Sequence, residues 1–171
     1  SSMLNMSKIE AGELTPSFTK FSFSEMIVRT FLSFEQLISQ KNITINGLDD
    51  LENITVTADP DMINQVIYNI IDNAVKFTPQ DGTISVSCKA EFEKAVVRVR
   101  NYGIGLANED LKLVFDRFYK VDKSRSLNTK SVGLGLYISK NIVELHKGKI
   151  YATSKDNEYT EFTIELPLRQ N

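Results

Sequence analysis

An amide-rich stripe is the first feature of this sequence that could do chemistry. Within the run MINQVIYNIIDNAVKF, polar residues recur at spacings of four, four and three, at Gln65, Asn69, Asn73 and Lys76. On an α-helix these spacings place the four side chains along one face. Neutral amides can coordinate a divalent cation or bind phosphate oxygens without adding negative charge beside a polyphosphate. A solvated helix face is the alternative, although such faces are usually rich in Glu and Lys.

A Gly-x-Gly sequence lies in the loop NYGIGL, where Gly103 and Gly105 flank Ile104. Because glycine has no Cβ, the backbone at such positions can approach a ligand closely. On its own this pattern is weak evidence, since Gly-x-Gly turns are common.

A second Gly-x-Gly sequence, in SVGLGL, opens a predicted helix and is stronger evidence. The residues of interest in it are Gly133, Leu134, Gly135 and Leu136. The free N–H groups of a helix N-terminus attract anions, and glycines leave those groups exposed. The preceding segment, residues 119–132, carries four cations that favour closure over phosphate groups: Lys120, Lys123, Arg125 and Lys130. A surface loop with scattered charge is the alternative interpretation of that segment.

Asn101 closes the strand-like run KAVVRVRN that leads into the first glycine loop. Alternation along a strand places Val97, Val99 and Asn101 on the core face, with Arg98 and Arg100 on the other. An amide without a partner is costly on a buried face. We therefore expect a protein group or a ligand to satisfy Asn101.

The elements that position these residues can also be predicted. Helices are expected at residues 24–40, 60–77, 108–114 and 132–146, with Ser24 capping the first and Asp59-Pro60 starting the second. Strands are expected at residues 18–23, 43–47, 53–58, 83–93, 94–101, 147–154 and 160–167. This order predicts an α+β fold, a two-layer sandwich with helices on one face of a mixed, mostly antiparallel sheet.

Composition narrows the class of protein. With 171 residues, 42% of them hydrophobic and 25% charged, the chain suits one soluble domain with a short appendage. A net charge of −2 does not favour nucleic acid or an anionic membrane as a partner. The single cysteine, Cys88, excludes an internal disulfide and is expected to be a buried, reduced thiol. The opening SSMLNMSKIEAGE reads as the end of a helix, so we expect a piece excised from a longer protein.

Together these stretches resemble the catalytic and ATP-binding domain of bacterial sensor histidine kinases, whose Bergerat-type fold is shared with gyrase, mismatch-repair ATPases and a heat-shock chaperone. QVIYNIIDNAVKFT resembles the N box, NYGIGL the first glycine box, FDRFYKVDKSRS the F box and lid, and SVGLGLYISKNIVELHKGKI the second glycine box. MSKIEAGE resembles the end of the dimerisation helix. Residues 1–14 are thus expected to be the stub of that helix with a linker, and residues 15–171 the ATP-binding domain.

The resemblance implies that ATP and Mg²⁺ bind between the helices, with the sheet behind them. By position, Asn73 is the implied Mg²⁺ ligand, Asn69 and Lys76 face the phosphates, and Phe77 lies against the adenine. At the position of Asn69 the related hydrolytic ATPases carry a Glu that activates water. An Asn cannot take that proton, which suits a kinase that must not hydrolyse its ATP.

The remaining implied contacts come from the loops. Gly103, Ile104 and Gly105 shape the base pocket beside Asn101, and Lys120 reaches the phosphates from the F box. The second glycine box presents its backbone to the phosphates through Gly133, Leu134, Gly135 and Leu136. No residue of this chain is assigned a catalytic role in isolation, because phosphoryl transfer depends mainly on positioning and charge neutralisation.

Three departures from the family pattern are present. Asn101 replaces the usual Asp, Ser131-Val132 replaces Gly-Thr, and Tyr159 stands where Gly usually opens the last strand. An Asn side chain carries both a donor and an acceptor, whereas a carboxylate only accepts. ATP binding is therefore expected to persist, with weaker discrimination against guanine.

The implied function is to supply the γ-phosphoryl group to a histidine on a dimerisation domain that lies outside this chain. The single histidine, His146, falls late in the second glycine box and is expected to be structural. Expected partners are that phosphoacceptor domain and a response regulator, without nucleic acid or direct membrane contact. The fragment is expected to be a monomeric cytoplasmic domain of a homodimeric membrane sensor.

Two other functions are alternatives to this one. A degenerate, nucleotide-independent kinase domain acting as a protein-interaction module is the main alternative, and the three departures favour it. A serine-kinase or ATPase relative of the same fold is disfavoured by MSKIEAGE and by Asn69 in place of Glu.

Overall fold

A five-stranded sheet and a two-stranded sheet organise the protein. The computed structural model describes residues 14–116 and 132–170, and only the backbone of residues 132–134. The strands are β1 (Thr19–Ser22), β2 (Thr44–Asn46), β3 (Thr55–Ala58), β4 (Thr83–Glu91), β5 (Lys94–Tyr102), β6 (Lys149–Lys155) and β7 (Tyr159–Pro167). The helices are α1 (Phe23–Ser33), α2 (Glu35–Gln40), α3 (Pro60–Phe77), α4 (Asn108–Leu113) and α5 (Val132–Leu145). The stub and linker expected at residues 1–14 lie outside the described residues except for Leu14.

The larger sheet has the strand order β2-β4-β5-β7-β6. Only β2 and β4 pair in parallel within it, and the other neighbours are antiparallel. The separate pair, β1 and β3, is antiparallel. The expected α+β fold with a mixed, mostly antiparallel sheet is therefore confirmed.

The helices cover one face of the larger sheet, and the apolar core lies between the two layers. On β5, Val97 and Val99 are buried, whereas Arg98 and Arg100 lie on the outer face and pair with carboxylates of neighbouring strand residues. From α3 a row of aliphatic side chains enters this core: Ile63, Val66, Ile67, Ile70 and Ile71. Burying each such side chain contributes about 1.5–3 kcal/mol, so α3 is firmly fixed against the sheet. Its polar stripe is fixed with it.

The first helix differs from the expectation in two ways. Its N-cap is Ser22, whose hydroxyl accepts from the Glu25 N–H at 3.2 Å, and not Ser24. The helix also stops at Phe34, whose φ of −101° and ψ of 10° leave the helical range. Phe34 is buried and its ring lies 5.0 Å from that of Tyr68. This packing divides the continuous helix predicted at residues 24–40 into α1 and α2.

Both ends of α3 are capped by side chains. Asp59 Oδ1 accepts from the Met62 N–H at 3.1 Å, and Pro60 occupies the first turn, which confirms the predicted start. At the other end, Lys41 Nζ donates to the carbonyls of Val75 and Lys76, at 2.8 and 3.2 Å. Cationic groups stabilise helix C-termini because the last carbonyls have no helical partner.

Cys88 is buried in β4 and forms no disulfide. Burial, with a smaller contribution from Glu52, raises the pKa of its thiol to about 12. The expectation of a buried thiol is confirmed.

Candidate functional site

Asn69 joins α3 to α5. Its amide nitrogen donates to the Gly135 carbonyl at 3.1 Å and to the Ser139 hydroxyl at 3.2 Å. A Cβ on Gly135 would lie 3.3 Å from Asn69 Cγ, so the glycine lets the two helices approach closely here. The structure thus brings two predicted site residues, Asn69 and Gly135, into direct contact. Ser139 was not predicted, and its only sequence signal is its position one helical turn after Gly135.

Asn73 lies one helical turn beyond Asn69, about 6 Å along the axis of α3. The residue is 4% exposed, and its side chain has no hydrogen bond to another described residue. Across the described residues, no fully buried side-chain nitrogen or oxygen lacks a partner. The Asn73 amide is therefore in contact with space that solvent can enter. Its free carbonyl oxygen suits a hard cation such as Mg²⁺.

Lys76 and Phe77 end the stripe on α3. Lys76 Nζ pairs with Asp72 Oδ2 at 3.0 Å, one turn earlier on the same helix. Partly exposed pairs of this kind contribute only about 0–1 kcal/mol, so the ammonium group can exchange its partner for a phosphate at little cost. Phe77 is 47% exposed and presents its ring at the helix end.

Asn101 points to the core side of β5, as its place in the alternating strand predicts. It is 3% exposed and lies between Ile84 of β4 and Thr160 of β7 in the sheet. Its side chain makes no hydrogen bond within the part of the chain that the structure describes. Asn101 is thus a buried amide whose own neighbours do not satisfy it.

The first glycine loop is held by the hairpin between β6 and β7. The Gly103 N–H donates to the Glu158 carbonyl at 3.1 Å, and the Leu106 N–H donates to the Ser154 hydroxyl at 2.6 Å. A Cβ on Gly105 would lie only 2.3 Å from the carbonyl oxygen of Lys155. Gly105 is therefore required by the packing of the loop on β6, a role that the sequence did not reveal.

The same loop also approaches the end of α3. A Cβ on Gly103 would lie 3.2 Å from Pro79 Cδ and 3.9 Å from the Phe77 carbonyl oxygen. Ile104, between the glycines, is 64% exposed. The loop thus brings the end of β5 beside the end of α3 and leaves one apolar side chain open to solvent.

The second glycine box contributes the start of α5. Gly133 and Leu134 lie in its first turn, and the Leu136 side chain is buried in the core beneath. Lys120, Ser131 and the rest of the basic segment lie outside the described residues.

Tyr159 has a structural partner. The guanidinium carbon of Arg100 lies 3.8 Å from the centre of the Tyr159 ring, and Arg100 also pairs with Glu161 at 3.1 Å. A cation over an aromatic face is an attractive contact. The departure from glycine at this position therefore adds a contact between β5 and β7 next to the glycine loop.

His146 is confirmed as a structural residue. It is fully buried, its Nε2 accepts from the Asp59 N–H at 3.1 Å, and its Nδ1 donates to the Ile142 carbonyl at 2.8 Å. Burial lowers the pKa of the imidazole, against smaller opposing effects of the Ile142 hydrogen bond and the Asp59 charge. Both ring nitrogens are engaged, so the ring joins the end of α5 to the start of α3.

The described residues contain neither a carboxylate-rich or histidine-rich metal site nor a membrane-spanning helix. No group of three or more His, Cys, Asp or Glu side chains among them could hold a metal ion. None of the helices within these ranges is long and apolar enough to cross a membrane.

The sequence of the chain matches a known protein family. The family described as histidine kinase-, DNA gyrase B-, and HSP90-like ATPase matches residues 58–170. Sensor histidine kinase WalK of Bacillus subtilis is 42% identical over 114 residues, or 66% of this chain and 19% of its own length. Sensor protein kinase WalK of Staphylococcus saprophyticus is 34% identical over 169 residues, or 96% of this chain and 27% of its own. The chain thus spans about a quarter or less of these relatives.

A solved structure agrees with the sequence matches. The catalytic domain of histidine kinase ThkA, in a nucleotide-free form, superposes with a TM-score of 0.77 at 28% identity, covering 90% of this chain and 97% of that one. ThkA in complex with response regulator protein TrrA superposes with a TM-score of 0.76 at 25% identity, covering 97% and 47%. The chain therefore belongs to the histidine kinase-, DNA gyrase B- and HSP90-like ATPase family, and its fold is that of a histidine kinase catalytic domain.

Proposed function

We propose that the chain binds ATP with Mg²⁺ along the stripe of α3 and presents the γ-phosphate to a histidine of a dimerisation domain outside this chain. The observation that carries this proposal is a pair of buried amides, Asn73 and Asn101, that have no partner among the described residues. Both lie in the layer between α3 and β5, where a polar ligand would satisfy them.

The orientation of the nucleotide follows from the charges at the two ends of the site. Near Asn69, the backbone N–H groups in the first turn of α5 attract phosphates. The opposite end of α3 carries the carbonyls that Lys41 caps, and carbonyls repel phosphate. Asn69 and Phe77 are separated by about 12 Å along the helix, so the phosphates lie toward Asn69 and the base toward Phe77.

Each residue of the stripe has a distinct task in this proposal. Asn73 supplies an amide oxygen to the Mg²⁺, which when bound neutralises phosphate charge during transfer. Lys76 leaves Asp72 to meet the phosphates, and Lys120 adds a second cation from the F box. Asn69 holds α5 in place and, lacking basicity, activates no water. Gly103, Ile104 and Gly105 bound the base pocket, while Gly133, Leu134, Gly135 and Leu136 form the phosphate end.

The partners belong to the same proposal. Residues 1–14 end the dimerisation helix with a linker, and residues 15–171 form the ATP-binding domain. The Ser17 N–H donates to Asp59 Oδ2 at 2.8 Å, so the chain leaving the linker is fixed at the start of α3. The phosphorylated histidine then serves a response regulator, as the ThkA complex with TrrA supports. The chain is a monomer in isolation, and its parent is a homodimeric membrane sensor with this domain in the cytoplasm.

Calorimetric titration of the 171-residue chain with a non-hydrolysable ATP analogue, with and without Mg²⁺, tests the nucleotide site. We expect Mg²⁺-dependent binding that falls at least about tenfold in Asn73→Ala, the loss of one charge-assisted contact. Asn64→Ala is the matched control, because Asn64 lies exposed on the same helix. No binding by folded wild-type chain would instead favour the nucleotide-independent module, which the comparisons do not support.

Phosphoryl transfer needs a second experiment. A longer protein that includes this chain and its dimerisation domain should incorporate the γ-phosphoryl group of ATP at a histidine of that domain. The His146 side chain is buried and should remain unlabelled. Label on His146, or none on the dimerisation domain in a protein that binds ATP, would contradict the transfer step.

A further inference from the structure

We infer that Asn101 binds the hydrogen-bonding edge of a purine base through both halves of its amide, in either orientation, and that the site therefore accepts guanine as well as adenine nucleotides. This inference rests on the proposed nucleotide site and specifies its substrate class.

Asn101 differs from the other polar residues in its row of the sheet. Cross-strand partners share a face, and the pairing places Ile84, Asn101, Thr160 and Ser154 in one row. The Ser154 hydroxyl accepts from the Leu106 N–H, donates to the Tyr159 carbonyl, and lies 3.4 Å from the Thr160 hydroxyl. Among the described residues of this row, the Asn101 amide is the polar side chain left without a partner.

A core position closed to solvent would not favour an amide such as that of Asn101. An unsatisfied buried amide is destabilising, and Val99, two residues earlier on the same face, is apolar and buried. Because no fully buried side-chain polar atom of the described residues lacks a partner, the Asn101 amide contacts space that solvent can enter. The loop that follows Asn101 lies beside the end of α3, since a Cβ on Gly103 would lie 3.2 Å from Pro79 Cδ.

A neutral base fits this end of the site better than an anion. Arg98 and Arg100 point to the opposite face of β5 and pair with carboxylates there. Lys41, near the end of α3, already donates to two helix carbonyls. A helix C-terminus repels anions, whereas a purine meets the exposed Phe77 ring and a neutral amide.

The free amide can match two different bases. Adenine offers an amino donor beside a ring-nitrogen acceptor, while guanine offers a carbonyl acceptor beside a ring N–H donor. An Asn side chain satisfies the first pattern in one orientation and the second after a 180° flip. Neither amide atom of Asn101 has a described protein partner that fixes its orientation. A carboxylate at this position would accept from adenine and repel the guanine carbonyl.

The test compares non-hydrolysable ATP and GTP analogues by calorimetry, with Mg²⁺ and the 171-residue chain. We expect the wild-type dissociation constants to differ by less than about tenfold, and Asn101→Asp to widen the ratio by about 10–100-fold through loss of the GTP analogue. Asn46→Asp is the matched control, because it introduces the same charge at an exposed position of β2 and should leave the ratio unchanged.

Base analogues on the wild-type chain give a second measurement that needs no folded variant. Inosine triphosphate shares the edge of guanine without its 2-amino group and should compete about as well as GTP. Purine riboside triphosphate lacks the 6-substituent and should compete several-fold less well than ATP.

The outcomes separate the two claims. A wild-type preference for ATP as strong as that of Asn101→Asp, or equal competition by purine riboside triphosphate and ATP, would overturn the role of Asn101 and leave the ATP site standing. Failure of the folded chain to bind either nucleotide would overturn the proposed function itself and the inference with it.

Discussion

The amide nitrogen of Asn69 lies 3.1 Å from the carbonyl oxygen of Gly135, although 66 residues separate them in the chain. This hydrogen bond joins α3 and α5, the two helices that frame the phosphate end of the proposed site. It also occupies the donor half of the Asn69 amide, so the role that we propose for this residue is partly to hold α5 in place.

Replacing Asn69 by Asp should therefore destabilise the domain. The carboxylate cannot donate to the Gly135 carbonyl, and two oxygens would face each other where a donor and an acceptor now meet. We expect a loss of about 1–3 kcal/mol in the free energy of unfolding, measured by urea denaturation at pH 7. Asn64→Asp, exposed on the same helix, is the control; equal losses in both variants would contradict the helix-joining role.

Gly105→Ala should be destabilising, and Gly135→Ala should be tolerated better. A Cβ at residue 105 would meet the Lys155 carbonyl at 2.3 Å and Ser154 Oγ at 2.5 Å, whereas at residue 135 the nearest atom is Asn69 Cγ at 3.3 Å. Forcing atoms into such a packed position costs about 1–3 kcal/mol, while Ala in a helix gains up to about 1 kcal/mol over Gly.

Thermal unfolding of the two glycine variants checks this comparison. The melting temperature should fall clearly in Gly105→Ala and change little in Gly135→Ala. The reverse order would mean that the loop adjusts freely on β6 and that the helix contact is the rigid one.

Local patterns were sufficient to predict most elements. Asp59-Pro60 predicted the start of α3, and the alternation along β5 correctly placed Asn101 on the buried face. Both signals lie within a few residues of the feature that they predict. The prediction of one helix at residues 24–40 was wrong, because the helix is interrupted where Phe34 packs on Tyr68. Local sequence patterns do not reveal a contact between residues so far apart in the chain.

The structural partners of the site residues could not be predicted from the sequence either, because they also lie far away in the chain. The freedom of a glycine is equally useful beside a ligand and beside another strand, so NYGIGL does not reveal that Gly105 packs on Lys155. Likewise, nothing near His146 indicates that its partner is the Asp59 N–H, 87 residues away. The predicted ligand contacts of Asn73, Lys76 and Phe77 remain predictions.

Tyr159→Gly, which restores the usual family residue, should weaken the domain. The variant loses the Arg100 contact, worth about 0.5–1 kcal/mol at an exposed site, and introduces a flexible residue into β7, which costs a further 0.5–1 kcal/mol or so. Tyr159→Phe keeps the aromatic face and should remain close to wild type in urea denaturation. A Phe variant as unstable as the Gly variant would show that the hydroxyl group, and not the ring, stabilises this position.

The stability of the domain should fall as the solution becomes mildly acidic, because of His146. Burial lowers the pKa of the folded imidazole below its unfolded value of about 6.5. Below that pH the unfolded chain binds a proton that the folded chain resists, since Nε2 must accept from the Asp59 N–H. The contribution of the neutral ring to the free energy of unfolding is thus fully present above about pH 6.5 and is lost as the pH falls toward the folded pKa. This contribution amounts to about 1.4 kcal/mol for each unit by which the folded and unfolded pKa values differ.

Urea denaturation of wild type and His146→Gln at pH 7.5, 6.5 and 5.5 isolates this effect. The glutamine variant does not titrate, so it should be less stable than wild type at pH 7.5, and the gap should narrow as the pH falls. The Asp59 carboxylate faces the ring and opposes part of the shift, so Asp59→Asn should steepen the wild-type dependence. Parallel pH curves for wild type and His146→Gln would show that the buried ring accepts its proton without loss of the Asp59 hydrogen bond.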